Sequence, residues 1–136
     1  VAAQPTVKRL QRKLPPWSVS VMGQVAALAA LTDRVHARKS LTFMTQERER
    51  FRRKLAALPG CTVMPTYANY CLVELPRGQR ASDITERLRR RGLLIRDCSS
   101  VPGANSRSVR LAVRTRIEND RLLRELSQLL LKKALR

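Results

Sequence analysis

The sequence predicts an α+β domain, with helices packed on a small mixed or antiparallel sheet. Three observations carry that prediction. Two strand-like runs close together late in the chain are separated by turn residues, a nearly continuous apolar run sits at mid-chain, and helix-periodic segments flank them. The 136 residues suffice for one domain with a proper core, and a 43% hydrophobic content excludes a disordered tail.

Residues 1–16 read as a basic lead-in or linker, with Lys8, Arg9, Arg12 and Lys13, and residues 17–136 as a single α+β domain. The lead-in closes on Pro15-Pro16, a pair that breaks helix and favours an extended path. Trp17, the only tryptophan, is the expected packing anchor. Ser18 or Ser20 then caps a helix through about Leu31, with Val21, Val25, Leu28 and Ala29 along one face. Ala26, Ala27 and Ala30 line the other side, so this helix is apolar nearly all round and expects cover on both sides. A domain of this size offers no obvious second cover. A partner, covalent or not, is therefore expected.

A second helix is predicted from about Asp33 to Leu58. Met44, Phe51, Leu55 and Leu58, at spacings of seven, four and three, form its core stripe. Glu49 and Arg53 make a favourable i,i+4 pair, and Pro59-Gly60 stops the helix. Strands follow at Cys61–Met64 and Ala68–Leu75, the latter apolar enough to be central in the sheet. A loop from Pro76 to Arg80 leads to a third helix from Ser82, with Ile84 and Leu88 inward. It ends in Arg89-Arg90-Arg91 before Gly92, where cations meet the negative end of the helix dipole. Leu93–Asp97 and Ser108–Val113 read as strands, and Thr115-x-x-Glu118 as a capping box. That box opens a last helix carrying Ile117, Leu122, Leu126, Leu129 and Leu130 inward, which completes the order α-α-β-β-α-β-β-α.

The strand Ser108–Val113 turns Val109, Leu111 and Val113 to one side and Ser108, Arg110 and Ala112 to the other. If it pairs antiparallel with Leu93–Asp97 about Gly103, Arg96 falls opposite Arg110. Like charges directly across a strand pair are destabilising, so an anion between them is the arrangement's natural complement. Guanidinium forks grip carboxylate and phosphate bidentately, which makes Arg96 and Arg110 a candidate anion clamp. Asn69 and Tyr70, on the neighbouring strand, are possible hydrogen-bonding support. Two surface arginines on a basic protein are the plainer alternative.

A net charge of +18, from 28 basic and 10 acidic residues, suggests an anionic partner, with nucleic acid a second function class. Only 4% of residues are aromatic, which leaves no stacking platform for single strands, and no recognition-helix or zinc-finger pattern is present. Cys61, Cys71 and Cys98 lack Cys-x-x-Cys spacing and suit free thiols in a cytoplasmic setting. A lone histidine, His36, gives a histidine-based metal centre or a Ser/His/Asp triad little to work with. The longest apolar run, Val19–Leu31, is interrupted by Ser20, Gly23 and Gln24 and falls short of the roughly 20 apolar residues a membrane span needs. With five glycines and no Gly-x-Ser-x-Gly elbow or phosphate loop, the sequence holds an anion site without visible machinery to transform the anion.

Four motifs, in this order, resemble one family: Pro16-Trp17-Ser18-Val19, Tyr67-Ala68-Asn69-Tyr70, Leu94-Ile95-Arg96-Asp97-Cys98, and Val109 to Thr115 with Glu118-Asn119. It is the fold type I pyridoxal-phosphate enzymes, in the branch of threonine-phosphate decarboxylase and histidinol-phosphate aminotransferase. The resemblance covers residues 1 to 131, and the fourteen-residue step from Arg96 to Arg110 looks closer to the decarboxylase of cobalamin biosynthesis. It implies the small C-terminal domain of such an enzyme, packed beside a large cofactor-binding domain that this chain lacks, in an enzyme that commonly forms homodimers. It also implies that the arginines matching Arg96 and Arg110 hold the anionic end of a phosphorylated amino-acid substrate. Ser20 departs from the family, where Asn is common. The family's Schiff-base lysine sits in a Ser-x-x-Lys setting that Lys8, Lys13, Lys39, Lys54, Lys132 and Lys133 do not share. The resemblance thus implies pyridoxal phosphate in the longer enzyme, with neither a cofactor-binding residue, a catalytic residue nor independent catalysis in this chain.

Overall fold

A computed structural model of the chain describes residues 3–14 and 18–134, so Pro15, Pro16 and Trp17 lie outside the described residues. The chain divides into two compact units, Val1–Lys39 and Ser40–Arg136. The first carries α1 (Gln4–Gln11) and α2 (Val21–Thr32), and α3 (Arg34–Ala56) begins in it and ends in the second. The segment read as a lead-in thus contains a helix. Pro5 occupies its first turn, where a missing N–H costs nothing, and Lys8 and Arg9 occupy its last. Val7, Leu10 and Leu14 lie at helical spacing among its basic residues. In α2 the Ser20 hydroxyl oxygen accepts from the Gly23 N–H at 3.2 Å, which makes Ser20 the N-cap. No α2 residue is buried, and Val21, Met22 and Leu31 are each more than 70% exposed.

The second unit holds the sheet. Its strands are β1 (Thr62–Val63), β2 (Tyr70–Glu74), β3 (Arg96–Asp97) and β4 (Ser108–Ala112), with α4 (Ala81–Arg89) and α5 (Arg116–Ala134) completing the unit. The order β1-β2-β4-β3 is antiparallel throughout, and β2 is central as its apolar run predicts. One face of β2 and β4, with Cys71, Val73, Val109 and Leu111, packs on Phe51 and Leu55 of α3, Ile84 and Leu88 of α4, and Leu122, Leu126 and Leu129 of α5. Met44 and Leu58 flank this core, as the spacing in α3 predicts.

The strands are shorter than the apolar runs suggested, for a local reason at β3. The Gly92 N–H bonds the Arg89 carbonyl at 2.9 Å and the Leu93 N–H bonds the Leu88 carbonyl at 3.0 Å. This paired closure holds Gly92 at φ 72°, where a side chain would strain the backbone, and delays the strand to Arg96. In α5 the expectation for Ile117 fails, since it is 83% exposed while Asn119 and Leu123 turn inward. Ile117 precedes Asn119 by two residues, close to half a turn of helix, so seating Asn119 in the core turns Ile117 out.

The capping box forms. The Glu118 carboxylate accepts from the Thr115 hydroxyl at 2.6 Å and the Thr115 N–H at 3.1 Å. These bonds, with Arg114, lower the Glu118 carboxyl from an ordinary 4.5 to about 2. A folded-state value below the unfolded one stabilises above the unfolded value and fades as pH falls through the folded one. The box is therefore expected to be intact above pH 4.5 and to be lost towards about pH 2. An NMR titration of the Glu118 side chain checks this, and an ordinary carboxylate midpoint would remove the box from the account.

Candidate functional site

The register of β3 against β4 sets Arg96 directly opposite Arg110, as the turn at Gly103 predicts. Both side chains are exposed. They share the face away from the core, where β2 contributes Tyr70, Leu72 and Glu74 through the pairings Tyr70↔Ala112, Leu72↔Arg110 and Glu74↔Ser108. Ser108 departs from the polar, exposed position that alternation suggests. It is 2% exposed, with its hydroxyl accepting from the Asn105 N–H at 3.1 Å as the loop folds over it.

What distinguishes the pair is the fate of the arginines around it. Arg114, two positions beyond Ala112, is bonded to Glu118 at 2.9 Å. Arg107 reaches Glu74 at 3.3 Å and the Leu75 carbonyl at 2.8 Å, while Asn105 donates to Glu74 at 2.8 Å. Glu74, the carboxylate nearest in register on this face, is thereby occupied. Asp97, on the neighbouring position of β3, accepts from the Ser99 N–H at 2.8 Å. Among the described residues neither Arg96 nor Arg110 enters an ion pair. Two adjacent cations thus face solvent with no acidic partner, an arrangement that a bound anion would relieve.

Tyr70 joins the pair and Asn69 does not. The Arg110 guanidinium carbon lies 5.0 Å from the centroid of the Tyr70 ring, a cation–π contact rather than the expected hydrogen bond. Asn69 precedes β2 and is exposed, and its carbonyl accepts from the Val113 N–H at 2.9 Å. Strand alternation assigns its side chain to the side opposite Tyr70.

The network that fixes the base of β4 was not visible in the sequence. Glu47, 3% exposed, accepts from Arg50 at 2.8 Å and from the buried Asn119 amide at 2.9 Å. The Asn119 side chain also accepts from the Arg114 N–H at 3.0 Å and donates to the Arg114 carbonyl at 2.9 Å. Arg50 beside it holds the Glu47 carboxyl below its ordinary value against the opposing effect of burial, and the Asn119 amide adds to the lowering. A single glutamate among many helix charges gives no advance sign of this role.

The thiol nearest the arginines is Cys98, which is 5% exposed and donates to the Arg96 carbonyl at 3.8 Å. Burial pushes the Cys61 thiol up to about 11 and raises Cys71 as well, so both are protonated at neutral pH. Lys54 is bonded to Asp120 at 3.0 Å. Among the described residues no His, Cys, Asp and Glu group is placed to hold a metal, and no helix is long and apolar enough to cross a membrane.

Comparison with known proteins identifies the family. The sequence profile of the family described as "Aminotransferase class I and II" matches residues 1–126. The chain belongs to that family. This aminotransferase-family chain is 36% identical over 122 residues to the threonine-phosphate decarboxylase of Salmonella typhimurium, covering 90% of this chain and 33% of that protein. It is 32% identical over 124 residues to the histidinol-phosphate aminotransferase of Methanothermobacter thermautotrophicus, covering 90% of this chain and 33% of its relative. The chain thus spans about a third of the length of these curated relatives. Its fold matches the histidinol-phosphate aminotransferase of Clostridium acetobutylicum with a TM-score of 0.77 at 24% identity, over 95% of this chain and 39% of that one. It also matches the L-threonine-O-3-phosphate decarboxylase of Porphyromonas gingivalis with a TM-score of 0.67 at 25% identity, over 96% and 40% of the two chains. The expected α+β small-domain architecture is confirmed by these matches.

Family members depend on pyridoxal phosphate. In the second unit, Lys54 is the one lysine with a described side chain, and it is committed to Asp120.

Proposed function

We propose that this chain is the C-terminal, substrate-holding domain of a pyridoxal-phosphate-dependent enzyme similar to threonine-phosphate decarboxylase. Arg96 and Arg110 would clamp the anionic group of a phosphorylated amino acid. The observation that carries this is their direct opposition across β3 and β4 with no carboxylate partner for either among the described residues. The cofactor and its lysine would come from a large domain preceding this one. That domain would also cover α2, whose apolar surface is exposed on every side described. The enzyme would act as a cytoplasmic homodimer. In that setting this domain's part is to bind and orient the anion, which fixes the reacting end of the substrate by fixing the other.

A second reading, an aminotransferase acting on histidinol phosphate, is favoured by a further relative. The histidinol-phosphate aminotransferase of Methanopyrus kandleri is also 36% identical over 122 residues, so identity does not separate the two activities.

The test has two arms. This chain alone, with added pyridoxal phosphate, is expected to decarboxylate O-phosphothreonine no faster than a protein-free blank; turnover above the blank would overturn the division of labour. In the longer enzyme, Arg110→Ala is expected to lower kcat/KM for the phosphorylated substrate about ten- to a hundredfold, the range for losing a charge-assisted contact. An unchanged kcat/KM would remove Arg110 from the substrate site. O-phosphothreonine and histidinol phosphate, assayed side by side, separate the two readings.

A further inference from the structure

We infer that Tyr70 is a positioning residue for Arg110, holding its guanidinium on the aromatic face so that the N–H donors stay free for an anion. The inference rests on the anion-clamp reading and deepens it.

Arg110 has neighbours of unequal character on its two sides. β4 lies between β2 and β3, so Arg96 flanks Arg110 from one strand and Tyr70 and Leu72 flank it from the other. Tyr70 pairs with Ala112, two residues along from Arg110, and is therefore its diagonal neighbour on the same face. Aromatic and long side chains reach each other at that offset. The guanidinium carbon lies 5.0 Å from the ring centroid, inside the range over which the ring quadrupole attracts a cation. Arg110 therefore leans towards β2, away from the strand that carries Arg96.

The choice of partner matters chemically. A carboxylate at this position would neutralise Arg110 but would also take up its fork, as Glu118 does for Arg114 and Glu74 for Arg107. An aromatic face attracts the same cation through its charge distribution and accepts none of its five N–H groups in a conventional hydrogen bond. Tyr70 thus restrains Arg110, eases its proximity to Arg96 and leaves the donors available. Restraining a long, flexible side chain before binding reduces the ordering it must undergo when the anion arrives. The work is done by the ring. The phenolic hydroxyl is not needed, so phenylalanine should serve as well.

The experiment uses the 136-residue chain and inorganic phosphate, followed by NMR at the arginine side-chain Nε–H resonances. Tyr70→Leu is expected to weaken the saturable phosphate response at Arg96 and Arg110 by about two- to fivefold. It is also expected to move the Arg110 Nε–H resonance of the free protein, through loss of the ring current. Tyr70→Phe should leave both near their starting values. If Tyr70→Leu does not fold, Tyr70→Val, a better strand former, takes its place. Unchanged affinity and an unmoved Arg110 resonance in the folded aliphatic variant would overturn the positioning role, as would equal losses in Tyr70→Phe. Arg110→Gln serves as the reference. Weak phosphate binding there with no effect at Tyr70 would leave the clamp standing without its brace. No effect at Arg110 would overturn the clamp, and the brace with it.

Discussion

Replacing Phe51 with alanine is expected to cost about 3–5 kcal/mol of folding stability. Phe51 is fully buried and belongs to the cluster that joins α3 to the inner face of β2 and β4 and to α4 and α5. Truncation removes the ring's transfer free energy and leaves a cavity. The surrounding backbone belongs to several elements that cannot collapse into that cavity together. Against the usual margin of about 5–15 kcal/mol for a domain, that loss should lower the urea midpoint steeply. A midpoint close to that of the unaltered protein would mean that α3 is not part of the core.

The second large effect is expected at Asn119, which is fully buried and bonded through both ends of its amide. Asn119→Asp keeps the acceptor for the Arg114 N–H but replaces the donor that faces the Glu47 carboxylate and the Arg114 carbonyl. The Glu47 carboxylate would keep its bonds to Arg50 but lose the Asn119 donor, the Arg114 carbonyl would lose the same donor, and two carboxylates would meet. The expected cost at neutral pH is about 2–4 kcal/mol, from unsatisfied buried groups and an unpaired charge. The introduced carboxyl would have a folded-state pKa above its unfolded one, so folding favours its protonated form and stability recovers as pH falls. Denaturation at about pH 7 and at about pH 5, either side of such a raised carboxyl, provides the check. An equal loss at both would show that charge repulsion is not the cause.

The parts of the fold that could be read in advance are those where one periodicity acted alone. Phe51 and Leu55 recur along one helical face, and Val109, Leu111 and Val113 alternate, so burial and register followed from spacing. Once β4 had its phase and Gly103 its turn, the opposition of Arg96 and Arg110 followed as well. Reading failed where a polar residue overrode the apolar pattern. Asn119 takes the inward position in the first turns of α5 because its amide completes bonds to Glu47 and Arg114, and Ile117 is displaced to the surface as a result. The same limit applied to the site. Tyr70 was visible as a neighbour, but its contact with Arg110 depends on a diagonal offset that only the register supplies.

The unequal anchorage of the two arginines has a mechanical consequence. β4 is hydrogen-bonded on both sides, over five paired positions to β2 and two to β3, whereas β3 is a two-residue edge strand held from one side. Stiffness in a sheet follows the number of bonds that must break for a segment to move. In the proposed clamp Arg110 would therefore be the fixed jaw of a vice and Arg96 the compliant one. Anions of different width would then be met by displacement on the β3 side, while the reference point on β4 stayed in place.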